Sequence, residues 1–160
     1  MVEIMAAREG LVGSSERWLQ SCGVMTWRRA YPGRMDQAAP ARKFPALLLA
    51  ETGRAEDAEW IAAEYISNAL VHTKSGGHGG WFGVEVMLGK FALIAVHDLG
   101  GGGVPRTLPG QAGGRLEEHG RGLLGVSKLA ARMGFFGNPA DGHTVWAQLA
   151  LGTDLKQQTS

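Results

Sequence analysis

The segment Glu56–Thr73 constrains the fold of this chain more than any other. Ala58, Ile61, Ala62, Tyr65, Ile66, Ala69 and Leu70 recur at spacings of three and four, which lays a broad apolar stripe along one side of a helix. A helix of that kind must bury its stripe, and the residues that follow supply the surface. Trp81–Leu88 alternates, Phe91–Val96 is a continuous apolar run, and Gly89–Lys90 between them reads as a two-residue hairpin turn. A helix followed by a hairpin predicts helices packed on one face of a sheet.

The flanking segments extend this plan. Thr26–Tyr31 reads as a first strand, stopped by the turn pair Pro32–Gly33. Ala38–Ala50 carries apolar residues at helical spacing, and Pro45 predicts that this helix either kinks or begins late. Leu123–Met133 resumes helical spacing, Phe135–Phe136 starts a short strand, and Thr144–Leu151 alternates as the last one. The resulting fold class is an α/β two-layer sandwich, with a mixed, mostly antiparallel sheet and helices on one face. The expected domain is 26–152, preceded by an extension over 1–25 and followed by a tail over 153–160. Trp18 and Leu19 leave two readings of the extension, a short docked helix or a mobile arm.

At 160 residues the chain is long enough for one self-sufficient core. A net charge of +1 gives no electrostatic case for direct nucleic-acid binding. No Lys/Arg run marks an anionic membrane surface, and Phe91–Val96 is too short to span a bilayer. The scattered Arg8, Glu9 and Glu16 do not form a secretion signal, so the expected location is cytoplasmic. Glycine is the outlier: 25 residues, about twice ordinary usage. They cluster at Gly76–Gly83 and Gly100–Gly125, where they serve backbone geometry.

Three segments carry chemistry. Glu64 and Asn68 are four apart, so they project from one helix side at the edge of the stripe. A carboxamide oxygen suits Mg²⁺ and a nearby carboxylate can take a proton, although a solvated polar pair is the commoner use of this spacing. Asp98 ends an apolar strand and is followed by glycines; it can accept from the exocyclic amine of a base, or simply begin a turn. Gly120-Arg121-Gly122 leads into a helix whose exposed amides favour anions. His72, His78, His97, His119 and His143 are scattered and do not assemble a zinc pattern.

Taken in order, EYISNALVH (Glu64–His72), HDLGGGGVP (His97–Pro105) and EHGRGL (Glu118–Leu123) resemble the nucleotide-binding boxes of the Bergerat-fold, or GHKL, ATPases. WRRAYPGRMDQAAPAR (Trp27–Arg42) and GHTVWAQL (Gly142–Leu149) are similar to the opening and closing segments of its anti-sigma-factor serine kinase branch. The resemblance spans about 26–151. It implies ATP and Mg²⁺ as cofactors, with Asn68 as the metal ligand and Glu64 as the catalytic base. It assigns Asp98 to the adenine amine, and Gly100 and Gly102 to the adenine and ribose pocket. Gly120, Arg121 and Gly122 would contact the phosphates, His72 and Leu123 complete the nucleotide-binding set, and Thr144 would help hold adenine through water. Leu99–His119 would be the ATP lid. The implied function is phosphorylation of a small anti-anti-sigma (STAS-type) protein, sequestration of a sigma factor, or both, in a chain able to form a homodimer. A non-catalytic module, in which ATP only sets partner affinity, is the alternative.

Overall fold

The computed structural model describes residues 24–101 and 118–152. The expected extension (1–23 of it), most of the expected lid (102–117) and the tail 153–160 lie outside the described residues. Five strands form one sheet in the order β1-β2-β3-β5-β4, where β1 is Met25–Pro32, β2 Trp81–Leu88, β3 Phe91–His97, β4 Arg132–Asn138 and β5 Gly142–Ala150. Among the described residues three α-helices accompany it: α1 (Ala38–Leu48), α2 (Ala55–His72) and α3 (Glu118–Leu129). Every strand pairing is antiparallel, so the expectation of a mixed sheet gives way to a wholly antiparallel one.

The register sorts the side chains into two faces. Phe82, Val84 and Val86 of β2 stand beside Ala92, Ile94 and Val96 of β3, which in turn face Val145, Ala147 and Leu149 of β5. These are buried together with Ala58, Ile61, Ala62, Tyr65, Ile66, Ala69 and Leu70, so the stripe of α2 closes the core as its spacing predicts. Each large aliphatic side chain in this layer contributes about 1.5–3 kcal/mol by leaving water. Leu123 and Leu129 of α3 pack against the same cluster and Val126 is fully buried in it, so all three helices share one face. The opposite face carries Trp81, Met87, Phe91, Leu93, Ala95 and Trp146, and no described helix lies over it.

Two local readings change. α1 starts at Ala38, so it does not begin late, and it continues past Pro45, which is buried in its last turn; the Leu49 N–H bonds to the Pro45 carbonyl at 3.0 Å. α3 starts five residues before Leu123 and stops at Leu129, rather than continuing to Met133. The reason for the early stop is competition from the sheet. The Ala130 N–H closes the last turn on Val126, but the Ala131 N–H goes to the carbonyl of Gln148 on β5, which draws the chain into β4.

Among the described residues, no helix is long and apolar enough to cross a membrane.

Candidate functional site

The site grows from the end of β3. Asp98 follows His97, and its N–H continues the β3–β5 ladder by bonding to the His143 carbonyl at 2.8 Å. This places the Asp98 side chain on the helix-bearing face, where it is 5% exposed. Its Oδ1 accepts the Gly100 N–H at 2.7 Å and the His143 N–H at 3.3 Å. Two backbone donors on one oxygen hold the carboxylate in place and leave Oδ2 as the acceptor for a ligand.

The residues after Asp98 are fastened on both sides. Ser75, fully buried just beyond α2, accepts the Leu99 N–H on its Oγ at 3.0 Å. The Lys74 N–H donates to the Gly100 carbonyl at 2.8 Å. From the other side, the Gly101 N–H donates to the Pro139 carbonyl at 2.8 Å. Gly100 adopts φ +77°, and a Cβ there would run into the Pro139 backbone, so glycine is required. The Lys74 methylenes lie alongside Gly101. Thr73 makes the turn that allows this: its hydroxyl donates to the Ala69 carbonyl at 2.7 Å and accepts the Ser75 N–H at 3.0 Å.

Upstream of that turn, α2 carries Glu64 and Asn68, both half-buried at the margin of the core stripe, and the exposed His72. Gly120, Arg121 and Gly122 fall inside the opening turns of α3 rather than ahead of it. Gly122 is packed so closely on α2 that a Cβ would overlap the Glu64 carboxylate. The helix bearing the carboxylate and the glycine-rich start of α3 therefore meet at these two residues. Leu123 is half-buried against the core. Gly102 lies outside the described residues.

Asn68 offers one neutral carboxamide oxygen, and among the described residues no group of three or more His, Cys, Asp or Glu could hold a metal ion. One neutral oxygen cannot hold a cation unaided. It fits Mg²⁺, which keeps several waters and takes phosphate oxygens for the rest.

The structure brings Asp98, Gly100 and the end of α2 together, and Glu64 to Gly122. Thr144 is not brought to Asp98. It points to the opposite face of β5, where its hydroxyl lies 3.0 Å from His97 Nδ1, and the His97 ring in turn lies 5.7 Å from that of Trp81. The β5 residue beside Asp98 is His143, one of the five scattered histidines of the sequence; it is 1% exposed. Neither His143 nor Ser75 is marked by spacing within a single element. Strand alternation puts His143 on the face of Val145 rather than that of Thr144, but only the pairing of β5 with β3 brings it to Asp98. No protein-family model matches the chain, and no curated protein matches it as a relative.

Proposed function

We propose that the chain is an ATP-binding regulatory protein: a serine kinase and anti-sigma factor that uses Mg-ATP to phosphorylate an anti-anti-sigma protein. The observation that carries this reading is the packing of the Glu64 carboxylate against Gly122. It joins the proposed base to the helix start proposed to face phosphates, two segments far apart in sequence. The order of the three boxes and the buried, half-satisfied Asp98 carboxylate support it further.

In this reading Asp98 Oδ2 accepts the exocyclic amine of adenine, and Asn68 lends its oxygen to Mg²⁺. Bound Mg²⁺ would supply charge neutralisation on the phosphate oxygens. Glu64 takes the proton from the serine hydroxyl as its oxygen attacks the γ-phosphorus, and the bond to the β-phosphate oxygen breaks to release ADP. The amides opening α3 offer donors to the phosphates.

The test is transfer of labelled γ-phosphate from ATP to candidate anti-anti-sigma proteins. Wild type should label a serine, and Glu64→Ala should bind ATP while labelling about 100-fold less. A wild type that binds ATP and partner yet labels nothing would favour the non-catalytic module. No heat on titration with millimolar ATP would sink the nucleotide reading altogether.

A further inference from the structure

His143 has a buried ring nitrogen with no partner. Among the described residues, its Nδ1 is one of three buried side-chain nitrogen or oxygen atoms with no hydrogen bond, the others belonging to Tyr31 and Arg54. An unsatisfied buried polar atom is costly, so its position calls for a reason. Nδ1 lies 3.8 Å from Asp98 Oδ1, the same oxygen that already accepts the His143 backbone N–H. The ring is edge-on to Phe135, with centroids 6.1 Å apart, which limits where it can turn. A contraction of under about 1 Å would make Nδ1–H a third donor to Oδ1.

We infer that His143 is the positioning residue of the Asp98 carboxylate, and through it sets selectivity for a 6-amino purine. This rests on the nucleotide reading above. The Gly100 and His143 N–H groups already take the two lone-pair directions of Oδ1, and closure of the imidazole donor adds a third, shared contact that locks the carboxylate against rotation. Oδ2 is then the only acceptor offered to a ligand, aimed by three donors behind it. A purine bearing an amine at C6 gains a bond to Oδ2; one bearing hydrogen there does not, and one bearing a carbonyl opposes two acceptors. His143 itself touches no ligand in this scheme. It removes the rotational freedom that would let the carboxylate miss the amine.

The experiment compares binding of ATP with that of purine riboside triphosphate, which lacks only the 6-amino group, by calorimetry on the full chain. Wild type should prefer ATP. His143→Phe keeps a ring against Phe135 and keeps the backbone N–H, and should narrow that preference about 10-fold. His143→Asn places an amide nitrogen where Nδ1 stands and should restore most of it. A purely structural role would weaken both nucleotides alike and leave their ratio unchanged, which overturns the inference, as does failure of the Asn variant to restore it. A second measurement needs no variant. In ¹⁵N-histidine-labelled wild type, ATP should bring the His143 Nδ1 signal to that of a hydrogen-bonded N–H, and purine riboside triphosphate should do so less. An Nδ1 signal unmoved by ATP would reject the inference, and a wild type that binds neither nucleotide fails at the earlier reading.

Discussion

The Glu64 carboxylate occupies the space that a side chain on Gly122 would need. The atoms in conflict are the far end of a flexible side chain, so Gly122→Ala should displace Glu64 rather than separate the helices. Alanine also favours the helix over glycine by up to about 1 kcal/mol. The variant should therefore keep its stability within about 1 kcal/mol by urea denaturation. Phosphoryl transfer, assayed in parallel, should fall about 100-fold. A Gly122→Ala protein with full transfer activity would separate Glu64 from the chemistry.

Gly100 and Gly53 both hold positive φ, +77° and +75°, but only Gly100 faces backbone where a Cβ would stand. Gly53→Ala should cost about 1–2 kcal/mol, the ordinary expense of left-handed backbone. Gly100→Ala should cost more than that, and should disturb the 2.7 Å bond from its N–H to Asp98. Chemical denaturation of the two variants side by side measures the difference. Equal losses would mean that the Pro139 carbonyl yields without cost.

Tyr65 is buried in the core layer, and its hydroxyl donates to the Trp146 carbonyl at 3.2 Å. Tyr65→Phe should cost about 1 kcal/mol. Burial holds the phenol well above the ordinary tyrosine range. A raised value in the fold means that this contribution is whole below about pH 10 and is lost as pH rises through the raised value. The gap in stability between wild type and Tyr65→Phe should thus shrink on the alkaline side, read from urea midpoints.

Glu59 joins α1 to α2 by accepting from Lys43 Nζ at 3.0 Å and from Arg42 Nε at 3.2 Å. Lys43 above all, with Arg42 behind it, holds this carboxyl below the ordinary glutamate value. A depressed value in the fold gives stability that is present above about pH 4.3 and disappears as pH falls through the lower value. Glu59→Gln should accordingly lose less stability than wild type when both are taken from neutral pH to about pH 3. Parallel acid titrations followed by circular dichroism would show it, and identical curves would leave the ion pair without effect.

The core was legible because burial writes its period into the residues. The stripe of α2 and the alternation of β2 appear where the sequence places them, within a residue or two. β4 was not legible. Gly134 and Gly137 interrupt its alternation, and Gly134 lies under the Trp146 ring, so a glycine there reflects a neighbour three-dimensionally close rather than a turn. In the site, Glu64, Asn68 and Asp98 followed from spacing within single elements. His143 and Ser75 did not, because each matters only once β5 is known to lie beside β3 and the end of α2 beside Leu99. Strand adjacency of that kind is a long-range fact that no local window contains.

The stitches from Lys74 and Ser75 to the backbone of Gly100 and Leu99 have a mechanical consequence. They weld the strand terminus that carries Asp98 to the rod that carries Glu64 and Asn68, so neither can slide without dragging the other. Whatever settles against one end of that assembly is gauged against the other, and a fault in either joint will be felt at both.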